Sequence, residues 1–283
     1  MPSPLPFVLT EPRAPEVPVI VEVPHAGLEV DAEALATLVA PALAIGRDAD
    51  LYVDELYADA PDAGATLLAA RMSRYVCDLN RSEHDVDRDT VLGATGRASP
   101  HGLIWRSTTD NRAAIARPLP KSELERRLTA YYRPYHERLD ELVRERLARH
   151  GFVIVVSGHS MPSRGRDGHD DPGRERADVV PGTRQQTTAA PAVIQIAERV
   201  AARFHLGLAH DDPYRGGHTT VRYGRPAAGI HAIQIELNRK LYMDELTLAK
   251  KTNEFRIMRS FCRALVLELS VLRQAPMARA SQA

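Results

Sequence analysis

Short apolar runs alternate along the chain with longer segments in which apolar residues recur every three or four positions. The runs are rich in Val, Ile and Leu and are five to eight residues long, as is typical of buried strands. They predict strands at 17–23, 64–71, 75–79, 152–156 and 230–237, and the longer segments predict helices at 31–45, 50–59, 122–150, 191–204 and 244–272. Interleaved strands and helices indicate an α/β fold.

The predicted helices carry residues that start, bend or stop a helix. Asp31 and Asp50 stand where their carboxylates can cap exposed backbone amides, and Ser122 opens a capping-box pattern. Pro134 is expected to kink the third helix because proline lacks the N–H that an interior helical residue donates. Gly151 is expected to end that helix.

Length and composition favour one large domain. The chain has 283 residues, enough for a sizeable core, and no linker rich in Pro, Gly or Ser divides it. Residues 1–16 and 275–283 are expected to be flexible ends. The polar and charge-dense stretch 163–186 is expected to be an unstructured loop or lid.

The charge balance and the cysteine content narrow the class of protein. Lys plus Arg and Asp plus Glu both number 37, so the chain has no net basic character, which argues against a nucleic-acid partner. Cys77 and Cys262 are the two cysteines, and both stand in apolar surroundings, which favours a reducing compartment. The chain shows neither a signal peptide nor a membrane-spanning run. These features predict a cytoplasmic protein without a membrane partner.

Polar residues follow the predicted strands where an ordinary loop would not require them. His25 follows the first strand, His159 follows the run 152–156, and Asn80 and Arg81 follow the run 75–79. Glu236 interrupts the last apolar run, where a carboxylate is costly unless it is paired or used. Ligands of open α/β sheets bind beyond the carboxyl ends of the strands, so these residues are expected to form one site.

Two imidazoles and an acidic residue in such a site predict a catalytic metal centre, with Zn²⁺ first and another divalent ion as the alternative. His25 and His159 supply the imidazoles. Asp50 is the first candidate for the third ligand and Glu29 the second. A single His is more often a hydrogen-bonded loop residue, and only the combination favours a metal. The rigid fork of Arg81, with the Asn80 amide beside it, suits a carboxylate and predicts an acidic substrate.

The chain resembles the N-formylglutamate amidohydrolase (N-formylglutamate deformylase) family over roughly residues 19–245. The resemblance depends on several motifs in a common order, and their order makes it specific. The motifs are Val23-Pro24-His25-Ala26-Gly27, Asp48-Ala49-Asp50, Ser73-Arg74-Tyr75 leading to Asp78-Leu79-Asn80-Arg81, Tyr132-Arg133-Pro134-Tyr135-His136, Gly158-His159-Ser160, Arg215-Gly216-Gly217 and Gln234-Ile235-Glu236-Leu237 followed by Tyr242-Met243-Asp244-Glu245.

The resemblance implies a relative of the zinc carboxypeptidases and aspartoacylase. Their fold is phosphorylase/hydrolase-like, with a mixed central sheet and helices on both faces. It also implies that an Asn-Arg pair, here Asn80 and Arg81, receives the substrate carboxylate, and that Glu236 is the catalytic acid. The sequence departs from the related pattern at Leu28, where an acid is expected three residues after the first His, and this favours Asp50 as the acidic metal ligand without excluding Glu29. It departs again at His218, where the family often has Tyr.

The implied reaction is metal-assisted hydrolysis of the amide of N-formyl-L-glutamate. Glu236 is expected to take a proton from water and return it to the leaving amine. Arg74 is the candidate cation for the oxyanion, with a surface arginine as the equal alternative. The competing hypotheses are a hydrolase of another N-acyl amino acid and a non-catalytic binding protein that kept the site. The sequence gives no indication of an oligomeric state.

Overall fold

A six-stranded sheet forms the centre of the molecule. The computed structural model describes residues 5–272. The strands are β1 (Phe7–Thr10), β2 (Val19–Val23), β3 (Thr66–Ala70), β4 (Val153–Met161), β5 (Val179–Gly182) and β6 (Ile230–Asn238), in the order β1-β3-β2-β4-β6-β5. The four inner strands are parallel, and the edge strands β1 and β5 pair antiparallel to their neighbours. The predicted α/β fold with a mixed sheet is confirmed.

Helices cover both faces of this sheet. The α-helices within residues 5–272 are α1 (Ala32–Leu35), α2 (Ala42–Asp48), α3 (Val53–Leu56), α4 (Lys121–Arg127), α5 (Arg133–His150), α6 (Pro191–Arg203), α7 (His218–Tyr223) and α8 (Thr252–Ser270). Helix α5 packs on one face, and α3, α6 and α8 pack on the other. None of the helices within residues 5–272 is long and apolar enough to cross a membrane.

The inner strands are buried on both faces, which explains their nearly continuous apolar sequences. On the α8 face, every second residue of β2 and β4 joins a large apolar cluster that includes Val21 and Ile154. On the α5 face, the alternate residues Ile20 and Val155 join a second cluster. Burial of this apolar surface is the main contribution that fixes the strands in register.

On the α5 face, the apolar residues give way to polar ones towards the carboxyl ends of the strands. Because successive strand residues point to opposite faces, Glu22 lies on the same side as Ile20, and Ser157 and His159 on the same side as Val155. Gln234 and Glu236 follow Ala232 on that side of β6 in the same way. The fold therefore brings five polar side chains of three neighbouring strands together at one edge.

The helices predicted at 31–45 and 50–59 are shorter in the structure, where the second of them is reduced to α3. The segment 31–45 forms α1 and α2 with a break between them: α1 ends at Leu35, Leu38 pairs with Ile115 in an isolated bridge, and α2 begins after Pro41. The predicted cap at Asp31 is confirmed, since its carboxylate accepts from the Ala34 amide at 2.6 Å. The predicted cap at Asp50 is wrong, because Tyr52 precedes α3 without a side-chain cap and Asp50 turns towards His159.

The long helix predicted at 122–150 is divided by a π-helical turn. This turn, Leu128–Tyr132, separates α4 from α5, and Pro134 stands in the first turn of α5. A proline there cannot donate to a carbonyl four residues earlier, which accounts for a wider turn at this point. Gly151 ends α5 with φ 78°, as predicted. Ser122 provides no cap, because α4 begins directly after Pro120.

The strand predicted at 75–79 is absent. The segment forms turns, and its carbonyls find partners outside a sheet: the Arg127 guanidinium donates to the Val76 oxygen at 3.0 Å. The Asp78 amide donates to the Leu103 oxygen at 2.9 Å. The apolar side chains Tyr75 and Val76 are buried nevertheless, so their sequence has the composition of a strand without its pairing.

Two predictions of irregular structure are wrong in part. The stretch 163–186 contains β5, which pairs with β6, and an ion pair of 2.6 Å between Arg176 and Asp171. The segment 1–16 contains β1, which pairs with β3. The helix predicted from residue 244 begins only at Thr252. The Asp244 carboxylate accepts from the backbone amides of Leu246 and Thr247 and holds this segment in a loop. Residues 275–283 lie outside the described part, and the single-domain organisation stays a prediction.

Candidate active site

One cavity lies at the carboxyl ends of the inner strands. It has a volume of about 230 Å³ and is open to solvent on one side. All seven residues predicted for the site line it: His25, Asp50, Arg74, Asn80, Arg81, His159 and Glu236. The structure therefore brings these residues from distant parts of the sequence into one cavity, and their roles stay a prediction.

Different elements deliver the side chains at the floor of this cavity. His25 lies two residues after the end of β2. Asp50 lies just beyond α2, and its backbone amide donates to the His25 oxygen at 2.9 Å, which ties the two segments together. His159 and Glu236 are paired residues of the neighbouring strands β4 and β6. The register of the sheet thus places an imidazole directly beside a carboxylate.

His25, Asp50 and His159, here called the ligand group, converge closely enough to hold one metal ion. One donor atom from each lies within 4.8 Å of the others. Nδ1 of His159 lies 2.9 Å from Oδ2 of Asp50, and Nδ1 of His25 lies 3.5 Å from the same oxygen. All three side chains are buried.

The charges of the ligand group stabilise one another. Burial by itself raises the pKa of Asp50, but the hydrogen bond from His159 and the nearby His25 lower it well below its usual value. Burial lowers the pKa of His159, but the bond to Asp50 and the charge of Glu236 raise it above its usual value. The group therefore favours an ionised carboxylate at its centre.

The imidazole of His25 is oriented by Asp78. Its Nε2 lies 2.7 Å from Oδ1 of Asp78, a fully buried carboxylate. The proton of the neutral ring belongs on Nε2 in this arrangement, which leaves Nδ1 as a lone-pair donor. Nδ1 is buried and makes no hydrogen bond within residues 5–272. A buried nitrogen with a free lone pair that faces a carboxylate and a second imidazole is suited to bind a divalent cation.

The other two members of the ligand group have supporting contacts as well. Oδ1 of Asp50 accepts from Nη2 of Arg239 at 3.1 Å. Nε2 of His159 lies 2.9 Å from Oγ of Ser157, whose hydroxyl donates in turn to the buried carboxylate of Glu22. Each candidate ligand is thus held by a neighbour, as is common around metal sites.

Glu29, the second candidate for the third ligand, does not belong to the site. Its carboxylate forms an ion pair of 2.7 Å with Arg71, and its side chain is half exposed. It lines a separate groove near β1 and β3. Glu29 is close to His25 in the sequence, but the chain after His25 carries it away from the cavity. Asp50 therefore remains as the candidate for the third ligand.

Glu236 is buried and faces the cavity. Burial raises its pKa above the usual value, although the nearby His159 opposes this shift. The carboxylate accepts one hydrogen bond from Nε2 of Gln234, at 2.9 Å. The simple structural explanation, a salt bridge with Arg239, is not found within residues 5–272, because Arg239 pairs with Asp50 instead. A desolvated carboxylate that has no cation of its own is suited to proton transfer.

Asn80 and Arg81 differ in how their side chains are used. The Asn80 amide is fully engaged: Nδ2 lies 3.2 Å from both His159 Nε2 and Gln234 Oε1, and Oδ1 accepts from the Thr219 amide at 3.0 Å. The Arg81 guanidinium makes no hydrogen bond or ion pair within residues 5–272 and is half-buried. Arg81 is therefore the member of the pair that is free to bind an anion.

Arg74 lies in the wall of the cavity and is mostly buried. Its guanidinium pairs with Asp78 at 2.8 Å and lies over the Trp105 ring, 4.2 Å from the ring centre. Burial lowers the pKa of Arg74, but the charges of Asp78 and Asp50 and the hydrogen bond to Asp78 together raise it above its usual value. The interpretation of Arg74 as a surface arginine is therefore wrong, and a fixed cation stands beside the ligand group.

Sequence reasoning missed several residues that shape the cavity. Asp48 accepts from Tyr75 and Thr109 and pairs with Arg166 at 3.0 Å, which fixes the segment 163–172 over the site. Trp105 donates to Asp78 at 2.9 Å. Asp48 and Asp78 belong to the family motifs quoted above, and these motifs could have indicated that both residues lie at the site. Arg166 and Trp105 stand in segments without periodicity and gave none.

His218 lies outside the cavity lining. Its Nε2 lies 3.3 Å from the Tyr132 hydroxyl, and its ring packs against His136. The difference at this position therefore does not alter the wall of the cavity directly. Gly217, just before it, packs against Asn80: a Cβ atom there would lie 2.3 Å from Asn80 Nδ2.

The fold and the cavity place the protein among α/β proteins with a buried group of two imidazoles and a carboxylate that could hold a metal ion. Comparison with known proteins narrows the class. Residues 17–243 match the N-formylglutamate amidohydrolase family, and the chain belongs to this family.

Individual relatives agree with this assignment. N-formylglutamate deformylase of Pseudomonas aeruginosa is 33% identical over 233 residues, which cover 81% of this chain and 83% of the relative. N-formylglutamate deformylase of Pseudomonas putida is 31% identical over the same coverage. The crystal structure of N-formylglutamate amidohydrolase from Ralstonia eutropha JMP134 superposes with a TM-score of 0.85 and 30% identity, covering 94% of this chain and 97% of that chain.

Proposed function

We propose that this protein hydrolyses the amide bond of N-formyl-L-glutamate to formate and L-glutamate. The reaction requires one divalent metal ion, for which Zn²⁺ is the first candidate. The observation that carries the proposal is the ligand group beside the desolvated carboxylate of Glu236, in a chain of this family. The names of the curated relatives supply the substrate.

The ligand group would hold the metal through Nδ1 of His25, a carboxylate oxygen of Asp50 and Nδ1 of His159. Nitrogen and oxygen donors of this kind suit zinc, and three protein ligands leave a position for water or substrate. A divalent cation bound there polarises the substrate carbonyl and lowers the pKa of water to about 7.

Glu236 moves the protons of the reaction. Its carboxylate, with a raised pKa, takes a proton from the water molecule that attacks the formyl carbon. The same group then gives that proton to the nitrogen of glutamate as the carbon–nitrogen bond breaks, so that formate and the amine leave. Gln234 holds the carboxylate in position by its hydrogen bond to one oxygen.

Cationic side chains stabilise the negative charges of the substrate. Arg74 is fixed by Asp78 and Trp105, and a preorganised cation at the cavity wall can stabilise the oxyanion that develops on the formyl oxygen. Arg81 binds a substrate carboxylate with its free guanidinium. Asn80 lines the same wall, and we assign its amide mainly to holding Gln234 and the backbone at Gly217 and Thr219 in place.

The test is release of the acyl group from a panel of substrates by zinc-loaded protein. The panel contains N-formyl-L-glutamate, N-acetyl-L-glutamate and N-formyl-L-leucine, and formate or acetate is measured together with metal content. We expect the highest kcat/KM for N-formyl-L-glutamate. Higher activity on N-acetyl-L-glutamate would indicate a hydrolase of another N-acyl amino acid. No turnover of any substrate by a zinc-replete preparation would indicate a binding protein without catalytic activity.

A further inference from the structure

Six arginines line the cavity, and four of them are neutralised by carboxylates of the protein. The pairs are Arg47 with Asp110 at 2.9 Å, Arg74 with Asp78 at 2.8 Å, Arg166 with Asp48 at 3.0 Å and Arg239 with Asp50 at 3.1 Å. These four cations therefore already have a carboxylate partner in the protein, and for Arg74 this partner fixes the guanidinium that we assign to the oxyanion.

The remaining two, Arg81 and Arg215, are here called the anion region. Neither guanidinium makes a hydrogen bond or ion pair with any residue of the part of the chain that the structure describes, 5–272. A guanidinium offers a fork of donors that matches a carboxylate, and nothing in the protein fills these two forks. Glu236, the lining carboxylate without an arginine partner, is bonded to Gln234 instead. The anion region thus offers two cations without a protein partner to the negative charges of a ligand.

The two cations lie at different depths. Arg81 is half-buried and follows Asn80, whose amide touches His159 of the ligand group. Arg215 is exposed and follows Tyr214, at the rim of the cavity. A ligand that spans both would place one anionic group next to the reacting amide and the other towards solvent.

The backbone around Arg215 is held in place although its side chain is free. The Arg215 oxygen accepts from the Arg184 amide at 2.9 Å, and the Gly217 amide donates to Oε1 of Gln234 at 2.8 Å. Gly182 of β5 allows close packing, since a Cβ atom there would lie 2.6 Å from the Gly216 nitrogen. A rigid backbone lowers the entropic cost of binding through the side chain that it carries.

We infer that Arg215 binds the side-chain carboxylate of the substrate, while Arg81 binds the carboxylate adjacent to the scissile amide. The substrate class is then N-acyl amino dicarboxylic acids, and Arg215 determines the preference for an acidic side chain. This inference rests on the proposed function for the identity of the reacting amide.

The first test compares N-formyl-L-glutamate with N-formyl-L-glutamine, which differs only in replacing the side-chain carboxylate by an amide. For Arg215→Met, kcat/KM on N-formyl-L-glutamate is expected to fall on the order of 10- to 100-fold, the scale of a lost charge-assisted pair, and on N-formyl-L-glutamine less than about threefold. For Arg215→Lys, kcat/KM on N-formyl-L-glutamate is expected to lie between that of wild type and that of Arg215→Met. The matched control Arg199→Met removes one exposed charge from α6, outside the cavity, and should change neither rate.

The second test measures binding without turnover, so it separates this inference from the proposed function. Dissociation constants of glutarate and of butyrate, which lacks the second carboxylate, are measured by calorimetry on wild type and Arg215→Met. We expect weaker glutarate binding by the variant, on the order of tenfold or more, and unchanged butyrate binding. Equal losses on both ligands, or no loss on glutarate, would overturn the assignment of Arg215. Absence of formate release by wild type would instead overturn the proposed function.

Discussion

The ligand group and the anion region lie in the same cavity but are built in opposite ways. Every member of the ligand group is buried and held by a neighbour, as His25 is by Asp78. In the anion region, Arg81 and Arg215 are more accessible and have no partner within residues 5–272. The ligand group is thus preorganised by the protein, whereas we propose that the substrate supplies the partners of the anion region.

This contrast separates two kinds of interaction. Groups that must keep one geometry during the reaction gain from fixed neighbours, because a buried, preorganised charge needs no rearrangement in the transition state. Groups that recognise a charged ligand must leave their donors free. Changes to the ligand group should therefore affect metal binding and turnover, and changes to the anion region should affect substrate preference.

The largest effect is expected from removal of the central charge of the ligand group. Asp50→Asn keeps the size of the side chain but replaces an anionic oxygen donor, and we expect it to lose most bound zinc and nearly all activity. The matched control Glu29→Gln alters the other acidic candidate, which pairs with Arg71, and should keep full zinc. Metal analysis of both proteins checks the contrast, and the opposite result would return Glu29 to the site.

Glu236→Gln is expected to reduce turnover by roughly 10²- to 10⁴-fold, the usual scale of general acid–base catalysis, with near-normal zinc content. Because burial raises the pKa of Glu236, the wild-type rate should fall as the pH drops through that raised value. The variant should lack this limb of the pH profile. A zinc-replete variant that melts earlier but keeps its rate per folded molecule would assign Glu236 to stability.

Asp78→Asn tests the orientation of His25. The carboxylate that accepts from Nε2 becomes an amide, which no longer favours the tautomer with a free Nδ1. We expect zinc affinity to fall about 10- to 100-fold, as for other partners of metal ligands. Competition with a chelator measures the affinity, and the melting temperature is followed in parallel because Asp78 is buried. Unchanged affinity would make the contact with His25 incidental.

Arg81→Lys should leave the metal in place and weaken the binding of substrate. The charge remains but the planar fork is lost, so binding should weaken by roughly 1 to 3 kcal/mol. The loss should appear with N-formyl-L-glutamate and nearly vanish with the analogue whose carboxylate next to the scissile amide is replaced by an amide. Equal losses on both substrates would indicate that Arg81 supports the structure of the cavity.

Much of the fold was predictable because buried parallel strands have a distinct sequence. The apolar runs that predicted β2, β4 and β6 are buried on both faces, and the polar residues towards their carboxyl ends mark the site, although β4 continues beyond the predicted run to Met161. The register pair His159 and Glu236 follows from this pattern once the strands are neighbours. The local signals of strand and site therefore agree in this part of the molecule.

The errors arose where side chains, rather than backbone pairing, satisfy the main chain. The segment at 75–79 has a strand-like composition, but Arg127 from a distant helix binds its carbonyl at Val76. Such a contact depends on tertiary structure and leaves no periodic signal. The distinction between Asp50 and Glu29 likewise depended on which residue the chain turns into the cavity.

The ligand group and Glu236 are proposed to form together a metal-dependent amidohydrolase site, in which activity must follow bound metal. The most direct measurement is titration of chelator-treated protein with zinc, with bound metal and formate release from N-formyl-L-glutamate followed in the same samples. The rate is expected to rise in proportion to bound zinc and to level off near one equivalent per chain, and Glu236→Gln should bind the same amount with little rate. Full activity in metal-free protein, or saturation with zinc bound outside the ligand group in Asp50→Asn, would contradict the claim.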